Sequence, residues 1–251
     1  MKPYYEDDLV TIFHGRAEDV LPSLDAVDVV ITDPPYSEHT HKSVRSAKML
    51  ANDRGGRYGA DTRRSVDLGF ESLTPDLRQF CSKQFARTVR RWVLVFSDVE
   101  SDHLWREDLI GAGLDYVRTG AWIKVGSTPQ FSGDRPATGF EAVTIAHPKG
   151  RKRWNGGGKH AVWSVPIVLN RSGNDQRYHT TQKPLPLMDE LVSLFSEPGE
   201  LILDAFGGSG TTALAASRLG RRCVVVEQQE EHCESIVRRL GQQSFDLEGI
   251  A

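Results

Sequence analysis

Two short stretches hold residue types that could do chemistry. The first is Asp33-Pro34-Pro35-Tyr36, which follows directly on the apolar run V-D-V-V-I-T at 27–32. A proline removes a backbone donor and pushes the residue before it out of helical geometry, so two in succession make a stiff, extended bracket. The bracket presents one carboxylate and one aromatic ring, a pair suited to holding a small planar target. The second stretch is D-A-F-G-G-S-G-T-T at 204–212, between a strand-like run and an alanine-rich, helix-like one. Gly207, Gly208 and Gly210 allow a tight turn and close approach of a ligand to the backbone, and the helix behind them offers free amides. No G-K-[ST] is present, so this is not a nucleoside triphosphate loop. Glu227 ends the very next strand-like run, where an acid can accept both ribose hydroxyls of an adenosine cofactor. A dinucleotide fold offers similar features, and a plain strand-end charge is the bland alternative for Glu227.

Strands and helices alternate around these stretches. L-V-T-I-F-H (9–14), V-D-V-V-I-T (27–32), W-V-L-V-F-S (92–97), L-I-L-D-A-F (201–206) and C-V-V-V-E (223–227) read as strands. The near-continuous apolar character of 27–32 suits a strand covered on both faces. Tyr116 to Val125 and Glu141 to His147 read as a hairpin around a Gly/Pro/Ser loop. Thr74 and Pro75 have the chemistry of an N-cap and first helical position, and Leu77, Phe80, Cys81, Phe85 and Val89 then recur at helical spacing. Pro184 to Phe195 and Thr211 to Leu219 read as further helices. A last helix puts Cys233, Ile236, Val237 and Leu240 on one face and stops at Gly241. Residues 148–178 show no steady period. This order predicts a doubly wound, mostly parallel α/β sheet, with an antiparallel hairpin at one edge. One domain spans 1–251, interrupted by a basic insertion at 37–73.

With 251 residues, 39% hydrophobic and 26% charged, the chain has the composition of a globular α/β domain. Its net charge of -3 argues against a wholly basic nucleic-acid binder, but the charge is uneven. Residues 41–66 hold Lys42, Arg45, Lys48, Arg54, Arg57, Arg63 and Arg64 against only Asp53 and Asp61. Residues 148–160 hold Lys149, Arg151, Lys152, Arg153 and Lys159 with no acid. Each segment reads as a loop, either a solvated face or a footprint for phosphates. Cys81, Cys223 and Cys233 are odd in number and lack C-x-x-C spacing, against a disulfide framework and a structural zinc site. No run approaches the roughly 20 apolar residues that span a bilayer, and the N-terminus lacks the apolar core of a signal peptide, so the cytoplasm is the expected compartment. His39 and His41 could ligate a metal, but paired loop histidines are more often solvated, and no metal is expected. Glu231-His232-Cys233-Glu234 reads as helix with Cys233 inward.

Together, D-P-P-Y and F-G-G-S-G-T-T resemble the S-adenosylmethionine-dependent amino-methyltransferases that act on exocyclic amines of DNA bases. D-P-P-Y first and the glycine turn last is similar to the β group of that family. H-T-T-Q-K-P-L-P-L-M (179–188) resembles the segment that helps close the cofactor pocket there, and A-W-I-K (121–124) with Pro129 resembles a later strand and loop. The resemblance implies a seven-stranded Rossmann-like methyltransferase sheet in circularly permuted order, the glycine-turn strand coming sixth. One departure is Gly15-Arg16, where the family often has Gly-Asp; Glu18 or Asp19 is the candidate stand-in.

What the resemblance implies for function is specific. Asp33 and the Pro34 carbonyl would accept the two protons of the target amine, with Pro35 stiffening the bracket and Tyr36 stacking on a base flipped out of the duplex. Lys183, Asp204, Phe206, Gly207, Gly208, Ser209, Gly210, Thr211, Thr212 and Glu227 would bind S-adenosylmethionine. Lys42, Arg45, Arg54, Arg57, Arg63 and Arg64 would clamp the backbone of double-stranded DNA, and Arg151, Lys152 and Arg153, in a short target-recognition segment at 148–178, would read bases. An acid at the head of the motif resembles the adenine-N6 enzymes more than the cytosine-N4 ones. An RNA or protein-amide methyltransferase and an inactive nucleic-acid-binding relative are the remaining alternatives, and a homodimer is left open. The implied source is bacterial or phage-encoded, with or without a restriction partner.

Overall fold

Apolar strands that read as buried on both faces need helices on both sides, and the computed structural model has that arrangement. It describes residues 1–36, 73–127, 134–168 and 182–248, with side chains up to 242. In chain order the elements are β1 Tyr5–Glu6, β2 Val10–His14, α1 Ala17–Val20 with a 3-10 turn at Leu21–Ser23, β3 Val27–Thr32, α2 Pro75–Thr88, β4 Val89–Ser97, α3 Asp102–Gly111, β5 Asp115–Val125, β6 Phe140–His147, β7 Val162–Pro166, α4 Leu185–Phe195, β8 Leu201–Asp204, α5 Thr211–Arg218, β9 Arg222–Glu227 and α6 Glu230–Glu248. The sheet runs β1-β2-β9-β8-β3-β4-β6-β5-β7. β2, β9, β8, β3 and β4 are mutually parallel, and β6 is antiparallel to both β4 and β5.

Period-2 alternation sorts the strand residues into two cores. Val29, Ile31, Trp92, Leu94 and Phe96 pack on one face against Leu187, Leu191 and Phe195 of α4, Ala213 and Ala216 of α5 and Ile236 and Leu240 of α6. Val30, Val93 and Val95 pack on the other against Ala17 and Val20 of α1, Cys81 and Phe85 of α2 and Trp105 and Leu109 of α3. Thr74 caps α2 as its position before Pro75 predicts, its hydroxyl accepting from the Leu77 amide at 3.2 Å. Cys81, Cys223 and Cys233 are free thiols inside these cores.

The seven expected strands lie side by side as β2-β9-β8-β3-β4-β6-β5, and β1 and β7 extend the sheet at its two edges. β7 pairs parallel with β5, so the β5–β6 hairpin sits one strand in from the edge. β7 was illegible in 148–178 because only Trp163 of its five residues is buried, too little alternation to stand out. α3 has the same difficulty, with only Trp105 and Leu109 buried. α6 runs through Gly241 to Glu248 rather than stopping at Gly241. Gly241 is not among the positive-φ glycines, so it interrupts no helical geometry, and the polar helix formers beyond it carry the helix on. Among the described residues no helix is long and apolar enough to cross a membrane.

Gly241 is exposed and a Cβ there meets nothing within 4 Å. Gly241→Ala is therefore expected to stabilise the protein by about 0.5–1 kcal/mol, read from urea unfolding. A left-handed helix terminus at this position would give a loss instead.

Candidate active site

β8 and β3 are parallel neighbours, yet the chain leaves β8 for α5 on one face and returns to β4 from α2 on the other. Divergence of this kind opens a crevice beyond the strand ends. Both motifs stand there, Asp33 one residue after β3 and the glycine turn directly after β8. They are stitched together: the Thr32 hydroxyl donates to Asp204 Oδ1 at 2.9 Å and accepts from the Ala205 amide at 3.2 Å. Asp204 is buried, and burial pushes its carboxyl up to about 7 against the bonds from Thr212, Phe206 and Thr32 that pull it down.

The turn itself lies tight against the core, where a side chain at two of its glycines would strike β9 or α6. A Cβ on Gly207 would lie 2.3 Å from Val225 Cγ1, and one on Gly210, at φ +74°, would lie 2.6 Å from Ile236 Cγ1. Gly208 has φ +50° and donates its amide to Glu227 Oε2 at 2.7 Å, while the Gln229 amide donates to Oε1 at 2.8 Å. His232 Nδ1 lies 3.4 Å from Oε1. A carboxylate has about four acceptor sites and the two amides take two, so Glu227 can receive a pair of hydroxyls if one displaces the longer His232 contact. Ser209 and Thr211 exchange a hydroxyl contact of 3.1 Å at the start of α5, and Phe206 and Thr212 flank Asp204. A concave glycine backbone with an acid at the next strand end fits the ribose and chain of an adenosine-type cofactor.

Facing this glycine cradle is a chain of alternating charges drawn from four places in the sequence, buried at Lys183 and Glu141 and half-buried at Asp33 and Lys124. The Lys183 ammonium bonds Asp33 Oδ2, lies 3.2 Å from Glu141 Oε2 and 3.4 Å from the Tyr36 hydroxyl. Glu141 Oε1 pairs in turn with Lys124 Nζ at 2.5 Å. Three rings surround Lys183, with Phe96, Tyr36 and Trp122 centroids 5.0, 5.6 and 5.9 Å from its nitrogen. Burial pushes the Asp33 carboxyl up, opposed by Lys183. Burial pulls Lys183 down, but Asp33 and Glu141 prevail and hold it above its ordinary value. Glu141 ends below its ordinary value because Lys183 and Lys124 outweigh its burial. Asp33 Oδ1 is buried and has no hydrogen-bond partner among the described residues.

The structure thus brings Asp33, Tyr36 and Lys183 together, with Lys183 on the Asp33 side of the crevice rather than among the turn residues. Glu141, Lys124, Trp122 and Phe96 were not singled out from sequence. The available signal was an acid inside F-E-A-V-T-I-A, an otherwise apolar strand, where a charge survives only if paired. Lys42, Arg45, Arg54, Arg57, Arg63, Arg64, His39 and His41 lie outside the described residues. The insertion that carries them leaves at Tyr36 and returns at Leu73, whose amide donates to the Tyr36 carbonyl at 3.3 Å. Arg151, Lys152 and Arg153 lie at the other end of the sheet. The Arg153 carbonyl accepts from Trp92 Nε1 at 2.5 Å and from Arg91 at 3.3 Å, near the start of β4, and Lys152 pairs with Asp115, the first residue of β5. Base reading by these three next to Asp33 is at odds with that placement. Glu18 is engaged by Arg16 at 2.9 Å.

The sequence pattern of the N6/N4 family described as DNA methylase matches residues 108–238, just over half of the chain. The chain belongs to this family. The matched span contains Glu141, Lys183, the glycine turn and Glu227, while Asp33–Tyr36 precede it. The type II methyltransferase M.HinfI of Haemophilus influenzae is 23% identical over 96% of this chain and 70% of its own length. Among solved structures, M1.HpyAVI in complex with SAM covers 92% of this chain and 99% of its own at TM-score 0.68 and 22% identity. The cytosine-N4-specific PvuII DNA methyltransferase covers 95% and 88% at TM-score 0.72 and 15% identity. At these identities the two structures show that this methylase shares their fold.

Two expectations follow for the methylase. Gly207→Ala should lower its melting temperature through the clash with Val225, and a second change, Val225→Ala, should restore much of the loss; no recovery in the double variant would place the strain elsewhere. Asp204, raised when folded, takes up a proton on folding. Its contribution to stability is therefore full below the unfolded value near 4 and is lost as pH rises through about 7. Asp204→Asn keeps the acceptor oxygen but not the charge, so the variant should gain on the wild type as pH is raised from 4 to 7, measured by unfolding at each pH.

Proposed function

We propose that this methylase transfers a methyl group from S-adenosylmethionine to the N6 amine of an adenine flipped out of double-stranded DNA. The observation that carries the reading is Asp33: a carboxylate with one oxygen held and the other without a hydrogen-bond partner among the described residues, beside the Tyr36 ring and across a crevice from the glycine cradle. Gly207, Gly208, Gly210 and Glu227 would hold the cofactor, with Glu227 accepting from its ribose hydroxyls, and Asp204 and Lys183 line the same crevice. S-adenosylmethionine supplies a methyl already activated on a sulfonium.

The chain's own task is to make a poor nucleophile adequate. An exocyclic base amine has its lone pair delocalised into the ring. Asp33 Oδ1 and the Pro34 carbonyl accept its two N–H groups and favour the tetrahedral nitrogen, an interaction that strengthens as positive charge develops there. The amine's lone pair would form the new N–C bond as the methyl's bond to sulfur breaks, that electron pair staying on sulfur as a neutral thioether, and the proton then leaves the amine to Asp33 or to water beside it. Tyr36 provides the face on which the extracted base stacks. The rings of Phe96 and Trp122 wall the Lys183 side of the site. DNA reaches this mouth past the 37–72 insertion, whose two ends meet at the site, so its cations are the ones proposed to clamp the phosphates. A target-reading role is kept for the chain that follows β7, the strand β7 itself running parallel to β5 toward the Asp33 end of the sheet. The cytoplasm is the compartment that suits this substrate and three free, buried thiols.

Adenine is preferred because an acid heads the motif, and the likeness of the fold to a cytosine-N4 enzyme makes N4-methylcytosine the competing product. Incubation with labelled cofactor and duplex DNA, then nucleoside separation, decides between them: N6-methyladenine is expected, and label in N4-methylcytosine, RNA or protein would refute the assignment. Asp33→Ala should cut the transfer rate by about 10²–10³-fold while calorimetric cofactor affinity stays within a few-fold. Near-normal turnover would remove Asp33 from the mechanism.

A further inference from the structure

The role assigned to Asp33 requires it to be an ionised acceptor with one oxygen free, and the buried charges around it bear on both conditions. We propose that Lys183 is the positioning residue of the reaction: held from behind by Glu141, it fixes Asp33 through Oδ2 so that Oδ1 is presented, as a carboxylate, to the target amine. This rests on the reading of Asp33 given above.

The geometry is that of a clamp rather than a ligand contact. Lys183 immediately precedes Pro184 at the head of α4, so its backbone is fixed by a helix start and a proline. Its side chain is 6% exposed and boxed by Phe96, Tyr36 and Trp122, which leaves its ammonium the two carboxylates and the Tyr36 hydroxyl as partners. An ammonium taken out of water is tolerated only with such pairing. Counted along the chain, Asp33 and Glu141 are balanced by Lys183 and Lys124. Remove Lys183 and two buried carboxylates share one cation. Lys124 is paired with Glu141, so Asp33, left without a directly paired cation, then keeps a proton, and a protonated acid points a donor at an amine that also donates. Remove the charge of Glu141 instead and Lys183 serves Asp33 alone.

The two changes should therefore move Asp33 in opposite directions. The groups that face it are Lys183, Glu141 and Lys124, then Tyr36 from its own bracket, Asp204 from the neighbouring strand end, and Asp98, which acts on Tyr36. Only the first two are altered in the test. Lys183 raises the ionised population of Asp33 and Glu141 lowers it. In Lys183→Met the carboxyl must titrate at higher pH than in the wild type, and in Glu141→Gln at lower pH.

The test is titration of the Asp33 side-chain carboxyl by carbon-13 NMR in the DNA-free protein, for wild type, Lys183→Met and Glu141→Gln. It needs no methyl transfer, so it stands apart from the assay for adenine methylation. A rise of a unit or more in Lys183→Met with a fall in Glu141→Gln is expected. The acid limb of kcat against pH should follow, with Lys183→Met at least tenfold down at pH 6 and recovering by pH 9, and Lys183→Arg intermediate. KM for S-adenosylmethionine should change less than threefold. Shifts of one sign in both variants, or no shift, would overturn the proposal, as would a large rise in KM with kcat kept. A structural role alone would lower kcat evenly across pH. If Lys183→Met does not fold, the sign in Glu141→Gln alone decides, since that change alters no volume.

Discussion

Two adjacent parallel strands cannot both be followed by chain on the same face without a helix blocking the space above them. In this methylase β8 and β3 solve the problem by sending their chains to opposite faces, and the crevice that results is where both motifs stand. A single hydroxyl holds the crevice closed at its base. Thr32, the last residue of β3, donates to Asp204, the last residue of β8, and receives the amide of Ala205 as the chain turns away. The spacing between a ligand in the glycine cradle and the acceptor at Asp33 is tied to that contact, because Asp33 follows Thr32 directly and the glycine turn starts at Asp204. The circularly permuted order changes which strand is made first but not which strands are neighbours, so the same crevice arises.

The second constraint is electrostatic. Four charges from β3, β5, β6 and the start of α4 meet where three aromatic rings leave little water. Each charge taken alone would be unfavourable there. Collected in alternating sign they satisfy one another, and the set has no member that can be dropped without leaving a carboxylate or an ammonium short of a partner. The acceptor needed for chemistry is produced by this arrangement: among the described residues Asp33 Oδ1 is left without a hydrogen bond after the pairs are made, while Glu141 Oε2 keeps its ion pair with Lys183.

Most of the scaffold could be read from the chain because its signals are local. The alternation in 27–32, the Thr74-Pro75 helix start and the glycine turn each declare themselves within a few residues. β7 and α3 did not, since one buried residue in five and two in ten are too few to show a period. Gly241 misled because a glycine ends a helix only when its φ turns positive, which residue type does not reveal. The site divides the same way. Asp33, Tyr36, Gly207 and Glu227 were legible as motifs, while Glu141 and Lys124 were not, because their meaning lies in partners far along the chain. The basic run at 151–153 shows the converse: composition pointed to phosphates, but the backbone of Arg153 is tied to Trp92 and Arg91 at the far end of β4.

The bond between the Leu73 amide and the Tyr36 carbonyl closes a neck. The described chain on either side of 37–72 meets at that neck, and β3 and β4 pair directly with each other. The entropy of closing a loop grows only with the logarithm of its length, about 0.6 kcal/mol for each doubling. Lengthening, shortening or replacing the segment is therefore thermodynamically cheap for the rest of the fold. A methyl-transfer centre built this way is a socket. Relatives could exchange whole insertions, and with them the surface offered to DNA, while leaving the crevice and its charges untouched.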